Sequence, residues 1–209
     1  MNELSTFFTS ILPELAPDSV RSFGAGGQIY AAEIYGGFNV SSETENPLFT
    51  FRRNDTNYAN AKFLTNLHEA GKIGSTMEFL ATHIGLRVVK FDGTAMTSAE
   101  IAAAKNLLAS ALVEIGLGSD NVKIAEFSGL HMMSAVDSVA TESTANSVSN
   151  VGGVDAKNFI ALRMPIPMQK NVELRGSVKF AQTPNAALTT KANSFGFVVI
   201  LAGVKVVAC

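Results

Sequence analysis

The chain has 209 residues, of which 47% are hydrophobic and only 16% are charged, and its net charge is −2. This length fits one domain. Neither terminus carries the Lys/Arg cluster that phosphate binding requires, so direct nucleic-acid binding is disfavoured. Average chains have about 25% charged residues, so Ser, Thr, Asn, Gln and Ala must cover most of this surface. Because a free monomer usually relies on charge for solubility, the composition favours self-assembly, with a neutral-surfaced mesophilic monomer as the alternative.

The apolar residues of the N-terminal segment recur with helical spacing. They are Leu4, Phe7, Phe8, Ile11, Leu12 and Leu15. We therefore predict an amphipathic arm over residues 1–22 and a single β-sandwich domain over residues 23–209. The helix either packs on its own domain or docks on a neighbouring subunit or a membrane interface. Its polar face has no Lys or Arg, which lowers the membrane alternative.

The next segment contains Gly24, Gly26 and Gly27. Their spacing does not match a phosphate-binding loop, and no strand precedes them. Two strands are predicted at Gln28–Tyr35 and Pro47–Arg53. Capping residues at 54–56 then predict a helix from about Tyr58 to Ala70, which Gly71 ends.

Residues Ser75–Phe91 indicate one long bent strand or two short ones, with Gly85 as the bend or bulge. Thr97 and Glu100 form a capping-box pattern, with a helix following it to about Ile115. Its predicted apolar stripe is Ile101, Leu108, Leu112 and Ile115. Gly116 and Gly118 are the predicted stop.

The rest of the chain reads as strands and loops. Strands are predicted at Val122–Phe127, Leu130–Val136, Phe159–Met164 and Val172–Phe180, and exposed loops at Ser138–Gly153 and Gln182–Asn193.

The last apolar run, Phe195–Val207, is rich in β-branched residues and shorter than the ~20 residues of a membrane-spanning helix. It predicts a central strand buried on both faces. About eight strands without βαβ alternation predict a mainly β protein built as an antiparallel β-sandwich, with two inserted helices and the N-terminal helix.

No motif for chemistry appears in the sequence. The three histidines, His68, His83 and His131, lack the spacing of a zinc site. Ser128, His131 and Asp137 are close in sequence, but triads are assembled from separate elements, and no G-x-S-x-G pattern is present. We predict no catalytic residue, no metal and no cofactor, and therefore not an enzyme. A pair of carboxylates that meet in the fold and hydrolyse a glycoside stays an open alternative.

The layout resembles the single jelly-roll capsid proteins of tailless icosahedral phages. The resemblance is carried by the segment Leu4–Leu15, about eight strands, the inserted helices, the weakly charged surface and the apolar strand Phe195–Val207. It implies a jelly roll that assembles into an icosahedral shell. The implied partners are copies of the chain, other capsid proteins and, through the N-terminal arm, an internal membrane. No direct nucleic-acid contact is implied.

Without a secretory-signal pattern, we expect synthesis in the host cytoplasm and a final location in the virion. The single cysteine, Cys209, excludes an intramolecular disulfide. The alternative function is a carbohydrate- or receptor-binding sandwich module, such as a lectin-like spike. The absence of Trp counts against it, because sugar platforms rely on flat aromatic faces. An enzyme built on a β-sandwich is the third possibility.

Overall fold

The computed structural model describes residues 27–118, 122–130, 149–152 and 159–208. The strands in these ranges are β1 (Gly27–Asn39), β2 (Glu45–Leu48), β3 (Met77–Lys90), β4 (Ala111–Leu117), β5 (Val122–Ser128), β6 (Ser149–Gly152), β7 (Ile160–Met168), β8 (Leu174–Phe180) and β9 (Phe195–Ala208). The helices are α1 (Ala61–Leu64), α2 (Ser98–Ser110) and α3 (Ala186–Thr189). The predicted N-terminal helix lies outside the described residues.

The strands form two antiparallel sheets, which confirms the predicted mainly β antiparallel architecture. The first sheet has the order β1-β9-β3, and β6 and β7 both pair with the far edge of β3. The second sheet has the order β2-β8-β4-β5. The main core lies between them, where Phe38 of the first sheet meets Phe180 of the second at a ring-centroid distance of 6.1 Å.

The pairings are nested along the chain. β1 pairs with β9, β2 with β8, β3 with β7 and β4 with β5. The outermost strands in sequence thus pair with each other, then the next two, and so on inward. Such a pattern is that of one long antiparallel ribbon rolled into two layers.

The last strand occupies the position that its apolar sequence predicts. β9 pairs with β1 over Gly27–Asn39 on one side and with β3 over Met77–Lys90 on the other. All seven residues of Phe195–Leu201 are buried. Alternate side chains enter the core between the sheets and a second core on the outer face of the first sheet. The prediction of a central strand buried on both faces is confirmed.

The segment between β2 and β3 covers that outer face. Phe51, Ala61 and Leu64 pack there on side chains of β3 and β9. The predicted helix Tyr58–Ala70 is wrong beyond its single turn at Ala61–Leu64. Thr65 is extended, with φ −153° and ψ 148°, and its hydroxyl donates to the backbone carbonyl of Tyr35 at 3.1 Å. Tertiary hydrogen bonds to the edge of β1 therefore replace the helical ones.

The second predicted strand was displaced by a sharp turn. β2 runs over Glu45–Leu48 instead of Pro47–Arg53, because Phe49 has φ 61°, in the left-handed region, and ends it. Phe49 is nevertheless buried. The chain then turns so that Phe51 enters the second core.

The capping box that opens α2 is confirmed, but the predicted end of the helix is wrong. The Glu100 N–H donates to the Thr97 hydroxyl at 3.3 Å, and the Thr97 N–H donates to the Glu100 carboxylate at 2.7 Å. The helix ends at Ser110, and Ala111 is extended. Residues 111–115 form most of β4, where alternate side chains enter the core. The predicted stripe is therefore wrong at residues 112 and 115, and the buried helix residues are Ala103, Ala104, Leu107 and Leu108.

Several smaller predictions also change. β3 is one strand, and its irregularity lies between Ala81 and His83 instead of at Gly85, which packs against the Phe159 ring. Part of the predicted loop Ser138–Gly153 is strand β6. The loop Gln182–Asn193 contains the one-turn helix α3. Most of the predicted strand Leu130–Val136 lies outside the described residues.

Candidate functional site

The outer face of the second sheet carries a cluster of charged side chains in solvent. We call it the charged face. It comprises Glu45, Glu114, Lys123, Glu126, Arg175, Ser177 and Lys179. Five of its members have side chains that are 44–64% exposed, namely Glu45, Lys123, Glu126, Arg175 and Lys179. By contrast, the outer face of the first sheet is covered by the segment between β2 and β3.

Opposite charges alternate across the charged face. On β2 and β8, the Glu45 carboxylate lies 3.5 Å from the Lys179 amine. On β4, the Glu114 carboxylate lies 3.6 Å from Lys179 and 2.7 Å from Lys123 of β5. Lys123 also contacts Glu126 on the same strand. The contacts therefore link all four strands through charges of alternating sign.

A register shift in β5 makes this arrangement possible. Residue Ile115 pairs with Ala125, but the next residue, Gly116, pairs with Lys123, so Ile124 is extra. Such a bulge re-aims side chains locally, and Lys123 and Glu126 reach each other although they are three residues apart. Glu114 pairs directly opposite Glu126, a like-charge neighbour that would be destabilising alone. Lys123 contacts both carboxylates and offsets their repulsion.

The pairings favour the charged forms of Glu114 and Lys123. The hydrogen bond from Lys123 holds the pKa of Glu114 below its ordinary value, and Lys179 adds to the effect. The same hydrogen bond, together with that to Glu126, raises the pKa of Lys123. Both shifts therefore favour the ion pair between Glu114 and Lys123.

One end of the charged face deepens into a groove of about 540 Å³. Gly116 and Ser177 lie along it, the turns at 49–50 and 71–72 wall one side, and Arg175 lies beside Glu173 at 2.7 Å on another. The volume is within the range of small-ligand pockets. The lining offers both positively and negatively charged side chains that can form hydrogen bonds. Among the described residues, the lining contains neither a histidine nor a cysteine.

A second charged cluster is buried beneath α2. Lys90, only 5% exposed, lies 3.1 Å from the Glu100 carboxylate and 3.7 Å from that of Asp92, and donates to the Ala95 carbonyl at 3.2 Å. Burial alone would raise the pKa of Glu100, but hydrogen bonds from the Thr97 N–H and Lys90 outweigh it and lower the pKa. The cluster joins the end of β3 to the start of α2, which is a structural role.

The residues weighed for chemistry do not converge in the described part of the chain. His68 is exposed in the turn after α1, and His83 is exposed on β3 with its Nδ1 2.8 Å from the Thr82 hydroxyl. Ser128 ends β5, whereas His131 and Asp137 lie outside the described residues. Among the residues that are described, no three His, Cys, Asp or Glu side chains are grouped to hold a metal.

The predicted assembly or membrane-facing arm stays a prediction. Its residues, Leu4, Phe7, Phe8, Ile11, Leu12 and Leu15, all lie outside the described residues. In the ranges that are described, no helix is long and apolar enough to cross a membrane.

Sequence reasoning missed the charged face because it assigned Glu114 to a helix. A signal that could have found it is the two-residue spacing of Ala111, Val113 and Ile115, which in a strand places Glu114 on the opposite face, although Leu112 on that face is apolar as well. Comparison of the sequence with models of known protein families and with curated proteins gives no match.

Proposed function

We propose that the chain is a structural protein, the major capsid protein of a tailless icosahedral phage, which self-assembles into a shell and is not an enzyme. The observation that carries this proposal is the strand order. Eight jelly-roll strands, lettered B to I along the chain, form one sheet in the order B-I-D-G and another in the order C-H-E-F.

The strands of this chain fit that lettering in sequence. If β1 to β5 are B to F, and β7, β8 and β9 are G, H and I, the two sheets have both jelly-roll orders. β6 is then a short additional strand that pairs with the same edge of β3 as β7 does, at residues further along β3. The nested pairing supports a single jelly roll with its inserted segments between C and D and between D and E.

The surface chemistry is consistent with assembly. With only 16% charged residues, the chain has few charges to keep a monomer soluble. Burial of apolar surface between copies contributes roughly 25 cal/mol per Å², and many weak contacts add through multivalency. The proposed partners are copies of the chain, other capsid proteins and an internal membrane reached by the N-terminal arm, without direct nucleic-acid binding. The proposed location is the virion.

Electron microscopy tests the proposal directly. The full chain is expressed, purified and imaged by negative stain, and its mass distribution is measured by sedimentation velocity. Rings or closed shells are expected. Strictly monomeric behaviour at high concentration would contradict the proposal. Removal of residues 1–15 should leave the fold intact and impair assembly, whereas unfolding of the truncated chain would assign that segment to the core.

The groove on the charged face favours a second candidate. A sandwich module that binds a carbohydrate or receptor would use such a depression, where Arg175, Glu173 and Ser177 could hydrogen-bond to hydroxyl groups. A glycan array separates the two candidates. Specific glycan binding that is lost in Arg175→Ala, from a protein that forms no particles, would favour the binding module.

A further inference from the structure

Three buried side chains of the first sheet lie apart from both cores. Leu80 of β3 is 6% exposed, and Val204 and Val206 of β9 are 2% and 6% exposed. Among the described residues, they belong to neither the main core nor the second core. Phe79 and Ala81 enter the main core, so Leu80 between them lies on the outer face, as does its partner Val204. We call these three residues the outer patch.

The neighbouring strands do not account for this burial. In the row that contains Leu80 and Val204, the flanking residues are Ala31 of β1 and Pro167 of β7. Both flanking residues are exposed. The burial is thus confined to two central strands, which are about 4.8 Å apart. A helix with its side chains is about 10–12 Å across, so one helix lying along the strands matches the covered width.

The second core ends short of the outer patch. Its nearest member on β9, Ile200, is four residues away, or about 14 Å along the strand. The six residues 153–158 are too short to cover the patch. They connect β6, whose last residue pairs with Arg87, to β7, whose first residue pairs with Ile84. A path from Arg87 over the patch and back to Ile84 is about 37 Å, whereas six residues span about 20 Å.

The longer internal segment, residues 131–148, is attached at the opposite end of the sheet. It leads into β6 at Ser149, which pairs with Lys90. It follows β5, which ends beside the first residues of β4, where Phe180 contacts Phe197 of β9 at 5.4 Å. The outer patch lies ten residues from Lys90 along β3, or about 34 Å. Eighteen residues that extend and return reach about 30 Å at most.

Residues 1–26, by contrast, are attached beside the outer patch. They enter β1 at Gly27, which pairs with Ala208, two residues beyond Val206. The predicted helix Leu4–Leu15 would be about 18 Å long, and positions 202–206 of β9 extend about 14 Å. The eleven residues 16–26 span up to about 36 Å, which is enough to bring the helix back over the sheet. Its apolar stripe is the surface that a buried apolar patch requires.

We propose that the predicted helix Leu4–Leu15 docks on the first sheet of its own chain, with its apolar stripe over Leu80, Val204 and Val206. The inference is separate from the capsid proposal, because it concerns the position of the arm in the free chain. An arm that binds a neighbouring subunit or a membrane has to leave the outer patch first. That release exposes three apolar side chains to water and is therefore unfavourable unless the new contact compensates for it.

Thiol protection tests the docking. Cys209→Ser removes the native cysteine, and one cysteine is then introduced by Val204→Cys or by the matched control Val198→Cys. Both valines are on the outer face of β9, 2% and 3% exposed, but Val198 belongs to the second core. In the full chain, both thiols should react with iodoacetamide at least about 100-fold more slowly than an exposed thiol. Removal of residues 1–15 should accelerate the reaction at position 204 at least about tenfold and leave position 198 protected.

Single substitutions in the arm separate undocking from general loosening of the fold. Phe8→Ser, in the apolar stripe of the full-length chain, should accelerate the reaction at position 204 alone. Ser10→Lys, on the polar face of the predicted helix, should accelerate neither reaction. Protection at position 204 that survives both the truncation and Phe8→Ser would overturn the docking. Equal acceleration at positions 204 and 198 in Phe8→Ser would also overturn it.

Protein concentration identifies the chain that supplies the arm. Docking within one chain gives a protection at position 204 that is independent of concentration. Protection that appears only as the concentration rises would assign the covering helix to a second copy and overturn docking on the same chain. The reaction is measured on the free chain, so its outcome is independent of shell formation. Particles formed by a chain without arm protection would leave the capsid proposal standing, and arm protection in a chain without particles would leave the docking standing.

Discussion

Replacing Glu100 by Gln isolates the buried charge of Lys90. The capping box accepts Gln as well as Glu at its third position, so the Thr97 N–H keeps its acceptor in this variant. The amine of Lys90, 5% exposed, loses the carboxylate at 3.1 Å but keeps Asp92 at 3.7 Å and the Ala95 carbonyl at 3.2 Å. The free energy of unfolding should therefore fall because a buried cation loses its nearest counter-charge.

The expected loss follows from these distances. Breaking a buried ion pair typically costs about 3–5 kcal/mol. The Coulomb energy at 3.1 Å with an effective dielectric constant of about 20 is about 5 kcal/mol, which is an upper bound. Because Asp92 still compensates part of the charge, Glu100→Gln should lose about 2–4 kcal/mol. With an m-value of about 2 kcal/mol/M, the urea midpoint should fall by about 1–2 M.

Matched variants test the cause. Lys90→Met fills similar volume but leaves the Glu100 carboxylate, 17% exposed, without its cation, so this single change should also lose stability. It should also rescue Glu100→Gln in the double variant. Thr97→Ala removes the hydroxyl cap and should lose about 1 kcal/mol. Urea unfolding followed by circular dichroism measures all four. A Glu100→Gln midpoint equal to that of the parent, or a double variant no more stable than Glu100→Gln, would refute the reasoning.

Three further changes have clear expected outcomes. Gly203→Ala places a Cβ 1.9 Å from the Leu80 carbonyl oxygen, so the free energy of unfolding in urea should fall by about 3 kcal/mol or more. The control Gly74→Ala places a Cβ with no atom within 4 Å and should leave the stability unchanged. An equal effect of both would contradict the packing. Asn66→Ala leaves the Tyr35 N–H and the Glu33 carbonyl of β1 without their side-chain partner. The free energy of unfolding should therefore fall by about 1–3 kcal/mol, and amide exchange at the edge of β1 should become faster. An unchanged exchange rate would show that the contact is dispensable. Acid should destabilise the folded chain through Glu100, because folding lowers the pKa of its carboxyl group. The resulting stabilisation is fully present above the ordinary glutamate pKa of about 4.3 and is lost as the pH falls through the lowered pKa of the folded state. Urea midpoints between pH 6 and 3 should fall less steeply in Glu100→Gln, and identical slopes would contradict this assignment.

Elements determined by local interactions were predictable from sequence. The capping box of Thr97 and Glu100 needs only residues three apart, and both of its hydrogen bonds are present. The strand Phe195–Ala208 was predictable because an apolar, β-branched run needs neighbours on both faces. In each case the local preference agrees with the tertiary environment.

Elements stabilised by distant contacts were not predictable. The residues after Leu64 have a helical pattern, but Thr65 and Asn66 bond to the edge of β1, about thirty positions away. β4 directly follows α2, and its extended conformation depends on pairing with β8. The charged face depends on that pairing and on the β5 bulge, so its contacts could not be predicted from the order of residues along the chain.

The edges of the sandwich bear on how copies could meet. The Asn66 side chain accepts from the Tyr35 N–H at 3.0 Å and donates to the Glu33 carbonyl at 2.7 Å, which occupies part of the edge of β1. The opposite sheet begins with β2, four residues long and containing Pro47, and ends with β5, which carries a bulge. Short strands, proline and bulges all oppose strand addition by another chain. Association through side chains is therefore favoured over backbone pairing at these three edges. It should accordingly leave the amide protection of these strand edges unchanged, which hydrogen exchange at low and at high protein concentration measures.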